Sequence, residues 1–131
     1  MSEQRNIYLG EPSRAWIRLQ LASPNGPVRE LNLVVDTGNP CAIIVDEKSL
    51  GALRWRESLR VDSNFGSLAS GWVRVSVPEI SFDQKLLCYA NDAIVRTVKR
   101  SDMRFDGLVG LPLLRMMTYG GNEGFFWIRA S

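Results

Sequence analysis

Histidine is absent from the 131 residues, and cysteine occurs only twice, at Cys41 and Cys88. The first absence removes Ser-His and Cys-His nucleophilic catalysis and the usual imidazole-zinc sites. Two cysteines far apart are too few for a structural zinc site. Both lie in apolar, strand-like surroundings and read as buried thiols rather than a disulfide. No stretch approaches the ~18 consecutive apolar residues of a membrane helix. The polar start, Met1-Ser2-Glu3-Gln4-Arg5-Asn6, lacks the apolar run of a signal peptide. The expectation is a soluble cytoplasmic protein with no membrane partner. A strong charge of either sign is missing too: 16 basic against 14 acidic residues leave +2, which argues against nucleic acid as the main ligand. Any chemistry must therefore come from carboxylates, lysine or a hydroxyl.

What is present is an ordinary globular composition, 45% hydrophobic and 23% charged, in a length that suits one domain over residues 1–131. Residues 15–22 alternate, with Ile17, Leu19 and Leu21 on one face, as a half-buried strand does. The turn cluster Ser23-Pro24-Asn25-Gly26-Pro27 follows, and extended structure resumes from Val28 toward Asp36. Residues 41–45 read as a second buried strand. Residues 46–53 read as a short helix or an irregular turn, with Asp46 as a possible cap. Val73, Val75 and Val77 alternate after a small-residue loop at 63–71, so strand, flexible tip and strand describe a hairpin. Residues 79–82 and 86–90 read as extended, and residues 93–98 as a further strand. Pro112 near the start and Gly120-Gly121 beyond the end frame a short helix after Leu111, and residues 125–129 close the chain as a strand. Many short strands, one helix and frequent turns make an all-β barrel or sandwich, without internal repeat or linker.

One acid is out of place in this pattern. Asp36 ends the apolar run Leu33-Val34-Val35, and burying an unpaired carboxylate costs several kcal/mol. An acid in that position is either solvated in a turn or held for a purpose. Gly38 provides a residue without Cβ for a tight turn, and Pro40 fixes φ beyond it.

Val34-Val35-Asp36-Thr37-Gly38, with Leu108-Val109-Gly110 some seventy residues later opening a helix, resembles the retropepsin-like aspartic peptidases. The run from Asp106 to Leu114 is similar to their bacterial branch. The resemblance covers most of the chain in order and spacing. It implies a closed β-barrel with one short C-terminal helix and a flap hairpin, here around Gly66 and Gly71. It also implies an endopeptidase acting on peptides or proteins, with no metal or cofactor. Asp36, Thr37 and Gly38 would be the catalytic triplet. Asn64, Phe65, Gly66 and Leu68 of the hairpin, with Val109 and Leu111 beside the motifs, would face the substrate, and Asn39 and Gly110 would support the triplet.

With a single Asp-Thr-Gly, the second carboxylate would come from Asp36 of a partner across the two-fold axis of a homodimer. The rival single-chain dyad, Asp36 with Asp106, competes with a plain turn at Asp106-Gly107, and the turn is the preferred reading. Asp46, Asp62, Asp83, Asp92 and Asp102 read as solvated surface acids. The family usually carries Ala or Ser after the glycine, whereas this chain has Asn39-Pro40; an amide there is placed to donate to Asp36. That departure motivates a second expectation, an inactive dimer of the same fold that binds extended peptides or a protein partner. A third is an unrelated small β-barrel in which Asp36-Thr37-Gly38 is merely a turn.

Overall fold

Leucine, isoleucine and valine at every second position dictate the main architectural fact, a sheet that closes on itself. The computed structural model describes residues 2–23, 28–53, 61–63 and 66–131. In chain order the elements are β1 (Glu3–Ile7), β2 (Trp16–Ala22), β3 (Val28–Asp36), β4 (Ile43–Val45), α1 (Glu47–Leu53), β5 (Val61–Ser63) and β6 (Gly66–Val77). A 3₁₀ turn at Pro78–Ile80 follows, then β7 (Phe82–Ala90), α2 (Asp92–Ser101), β8 (Gly107–Gly110), α3 (Leu111–Leu114), β9 (Thr118–Gly121) and β10 (Phe125–Arg129).

Six strands pair in the order β2, β3, β8, β4, β7, β6, and β6 returns to β2 through Gln20–Ser76, Leu21–Val75 and Ala22–Arg74. The barrel is thereby closed, which removes open edges along those six strands. Strand β5 continues from β6 as a hairpin, with Val61 opposite Leu68 and Ser63 opposite Gly66. The alternation read from sequence places Ile17, Leu19, Leu21, Leu33, Val73, Val75 and Val77 in the interior, all 1% exposed or less. Val34 of β3, Cys41, Ile44 of β4, Leu68 of β6, Phe105 and Leu108 of β8 form a second cluster, against which Ile94 and Val98 of α2 pack.

A separate sheet, ordered β1, β10, β9, joins the two chain ends. Phe126 and Ile128 of β10 join the barrel's buried core, and polar contacts add to that hold. Buried Gln4 donates to the Arg18 carbonyl and accepts from the Arg18 N–H, both at 2.8 Å, and Asn6 donates to the Trp16 carbonyl at 3.2 Å. Buried amides are inexpensive when satisfied in this way. Strand β10 therefore pairs within its own chain. Among the described residues no helix is long and apolar enough to cross a membrane.

Local readings fared unevenly. Asp46 does cap α1, accepting from Ser49 N at 2.9 Å, and both cysteines are buried free thiols. Residues 93–98 are helical rather than extended. The Asn91 side chain accepts from Ile94 N at 2.9 Å, and Ile94, Val95 and Val98 share one face. A good N-cap and helical spacing outweigh the β-branched residues that suggested a strand. Asn91→Ala should cost about 1 kcal/mol, read from the urea midpoint. The helix after Leu111 is a single turn, and Gly120-Gly121 belongs to β9 instead of ending a helix. Residues 79 and 80, read as extended, belong to the 3₁₀ turn Pro78–Ile80, and strands β1 and β9 had no counterpart in the sequence reading.

Candidate active site

Asp36 is the last residue of β3, and its position follows from the strand pairing. Strand β3 runs parallel to β8, with Leu33 opposite Gly107, Val34 opposite Leu108, Val35 opposite Val109 and Asp36 opposite Gly110. The apolar run carries the acid to the end of the sheet, where pairing stops and the carboxylate is half-buried.

The chain then reverses in a small turn. Gly38 N donates to Asp36 Oδ1 at 3.2 Å, and Asn39 N donates to the Asp36 carbonyl at 3.0 Å. Thr37, Gly38 and Pro40 are exposed, whereas Asn39 is 3% exposed. Beneath the turn lies Gly110. A Cβ on it would stand 2.0 Å from the Cys41 carbonyl oxygen and 2.7 Å from that of Asn39. Gly110 N donates to the Ala42 carbonyl at 2.9 Å, and Leu111 N to that of Asn39 at 3.4 Å. The two glycine-bearing motifs are thus in direct backbone contact: the loop after Asp-Thr-Gly rests on Leu-Val-Gly.

Asn39 behaves differently from the sequence expectation. Its Oδ1 accepts from Cys41 N at 3.0 Å, and its Nδ2 is buried with no hydrogen-bond partner among the described residues. The amide therefore braces its own loop and makes no hydrogen bond to Asp36. This suggests a test with an unusual sign. Asn39→Asp keeps the acceptor for Cys41 N, removes the orphan N–H and buries an ionisable group. Burial disfavours the charged form, so the new carboxyl should titrate above its unfolded value. Stability contributed below the unfolded pKa is then lost as pH rises. The variant should match the parent in acid and be weaker by on the order of 2 kcal/mol at neutral pH, measurable by denaturant melts at two pH values.

Asp106 is not placed to complete a dyad. Its Oδ2 accepts from Asn32 N at 2.9 Å and its Oδ1 lies 3.8 Å from Lys99 Nζ. Asn32 precedes Asp36 by four residues on β3, a separation of about 13 Å along a strand. Asp106 thus latches the start of β8 to β3. Among the other acids, Asp83 pairs with Arg74, and hydrogen bonds from Arg104 hold Asp102 down at about 2. Asp92 accepts from Glu47 N at 2.8 Å.

The residues expected to face a substrate are scattered. Asn64 and Phe65 lie outside the described residues. Gly66 opens β6 beside the hairpin tip. Leu68 is 1% exposed in the outer cluster and Val109 is fully buried in the barrel core, so neither offers a surface in the protomer. Leu111 lines a small cavity of about 180 Å³ with Thr37, Gly38, Asn39, Pro40, Pro112 and Arg115.

A larger cavity, about 520 Å³, opens directly at Asp36. Val34, Val35 and Leu108 form its sheet side, Ala93, Ile94, Thr97 and Val98 of α2 form its helix side, and Asn91 and Arg14 complete the lining. Sequence reasoning missed this helix wall because it read residues 93–98 as a strand; the Asn91-Asp92 cap was the overlooked signal. A wider hollow of about 790 Å³, lined by Ser2, Glu3, Arg5, Glu79 and Arg129, is charged and contains none of the motif residues. No protein-family model matches the chain, and no curated protein matches its sequence.

Proposed function

We propose that this chain is a retropepsin-like aspartic endopeptidase that works as a homodimer, with Asp36 of each copy forming the catalytic pair. The observation that carries the reading is a half-buried carboxylate at the end of an apolar strand, held by its own turn and opening on a 520 Å³ cavity. The closed barrel and the contact between the Asp-Thr-Gly loop and Gly110 are consistent with it. So is the exposure of Thr37 and Gly38, which leaves the turn accessible to its symmetry mate.

In that dimer two like charges at close range cannot both ionise easily, so the pair shares one proton, the logic for which aspartic proteases are the standard example. The ionised carboxylate takes a proton from a bound water. That water attacks the peptide carbonyl while the protonated carboxyl polarises its oxygen. Thr37 would brace the two turns against each other, and Gly38 would admit the substrate backbone. The β5–β6 hairpin would act as the flap that closes over an extended peptide and excludes water.

The second reading, an inactive dimer of the same fold that binds extended peptides or a protein partner, is favoured by Asn39-Pro40. Digestion of a broad peptide library from acid to neutral pH, run beside a sedimentation measurement of oligomeric state, separates the two. The peptidase reading expects hydrolysis with an acidic or mildly acidic optimum by a dimer. A dimer that cleaves nothing supports the second reading, and a strict monomer that cleaves nothing leaves the Asp-Thr-Gly as a turn in an unrelated barrel.

A further inference from the structure

We infer that the smaller cavity, between the Asp36 turn and α3, is a carboxylate site in which Arg115 supplies the charge and Asn39 a buried donor. The ligand is a carboxylate on a short apolar stem, carried by an acidic residue of a peptide or by a small free acid. Hydrolysis is not required for it, and the peptide source alone rests on the peptide-binding reading of the Asp36 site.

Three polar side chains line this cavity of about 180 Å³, those of Arg115, Asn39 and Thr37, and all three carry hydrogen-bond donors. Asn39 is 3% exposed, and its Oδ1 is occupied by the N–H of Cys41 at 3.0 Å. The other end of the amide, Nδ2, is buried with no partner among the described residues. An unpaired buried N–H costs free energy that an acceptor on a ligand would recover. Arg115 is exposed directly after α3, and its guanidinium makes no hydrogen bond or ion pair among the described residues. Among the described residues no acid lines the cavity, so Arg115 has no counter-charge there.

Charge and size select the class of anion. One guanidinium balances a single negative charge, and its fork of N–H groups matches the two oxygens of a carboxylate. A phosphate dianion would bring a second negative charge, uncompensated by the lining, to a turn that already holds Asp36. Leu111, Pro40 and Pro112 offer apolar surface to the methylene groups of a stem. The volume falls below the ~300–1,000 Å³ of pockets that enclose drug-sized ligands. A group of acetate to glutarate size therefore suits it.

The test compares the full-length parent with Arg115→Gln and Arg115→Lys. One arm titrates each protein with propionate, glutarate and inorganic phosphate at constant ionic strength, following the Asn39 side-chain amide and Arg115 Nε–H signals by NMR. The other measures, by fluorescence anisotropy on Asp36→Asn versions, peptides in which each position in turn is Glu or Gln. Propionate or glutarate should shift both signals. Arg115→Gln should weaken that binding by at least about 10-fold, the scale of a charge-assisted pair, and Arg115→Lys by less. A Glu-over-Gln preference of about 10-fold that Arg115→Gln abolishes supports the inference with a peptide as the source. Small acids that bind while peptides show no such preference support it with a free acid as the source. Peptides that bind nowhere count against the peptide-binding reading, and the small-acid arm still decides the site. The inference is overturned if neither arm detects a carboxylate, if phosphate binds more tightly than both acids, or if Arg115→Gln leaves their affinity unchanged.

Discussion

On the proposed function, Asp36→Asn is expected to reduce peptide hydrolysis by about 10³-fold or more, within the range that positioned acid–base groups contribute, while the proposed dimer and the fold survive. The fold should survive because the contact that Asp36 makes in the protomer is one that asparagine can reproduce. Gly38 N donates to Oδ1 at 3.2 Å, and an asparagine carbonyl oxygen accepts from the same N–H. The catalytic loss follows from what asparagine cannot do: it neither holds a negative charge to accept the proton of water nor shares an acidic proton with its mate. In the proposed homodimer both copies change at once, so no intact carboxyl remains. Full activity in this variant would remove Asp36 from the reaction. A fall accompanied by dissociation to monomers would instead assign it a structural role, which sedimentation of the same sample reveals.

Gly110→Ala is the substitution from which the greatest loss of stability is expected, about 3 kcal/mol or more. A methyl group on Gly110 would occupy the place of the Cys41 carbonyl oxygen, 2.0 Å away, with the Asn39 carbonyl oxygen at 2.7 Å. Both neighbours are backbone and neither has a flexible end to swing aside. The loop after Asp-Thr-Gly must lift, which puts at risk the bonds from Gly110 N to Ala42 and from Leu111 N to Asn39. The same displacement moves the turn that holds Asp36, so any peptide hydrolysis should fall even in conditions where the protein remains folded. Urea unfolding and circular dichroism read the first effect, and kcat/KM on the best library peptide reads the second. Gly124→Ala is the control, since the nearest atom to its added Cβ lies at 3.5 Å, an ordinary contact. An unchanged midpoint for Gly110→Ala would mean that the loop does not rest on Gly110.

The pattern of alternating residues was enough to place most barrel strands. Ile17, Leu19 and Leu21, or Val73, Val75 and Val77, point inward because a strand has a period of two whatever its neighbours are. The turn at Asp36 was equally plain, since an acid, a hydroxyl and a glycine after an apolar run have few other conformations to adopt. Hairpin residues 24–27, 64 and 65 fall outside what the structure describes.

Other features depended on contacts between distant segments. Residues 93–98 are rich in β-branched side chains; the Asn91 cap is a local helix signal, and packing of Ile94 and Val98 on the outer cluster adds the tertiary part. Strands β1 and β9 owe their existence to β10, which lies between them, and no local pattern in Glu-Gln-Arg-Asn-Ile or Thr-Tyr-Gly-Gly announces that. The buried face of Val109 and the side of Leu108 that lines the cavity differ because alternate residues of one strand meet different layers.

Asp36 itself marks the division. Local sequence places a carboxylate at the end of an apolar strand, because hydrophobic alternation and turn chemistry act over a few residues. What stands beside that carboxylate is set by the parallel register of β3 on β8 and by the docking of α2. The register depends on pairing between segments more than seventy residues apart, and the docking of α2 on packing against both β3 and the nearer β8. They bring Gly110 under the turn, carry Asp106 away from Asp36, and raise a helical wall over an apolar cavity at the acid.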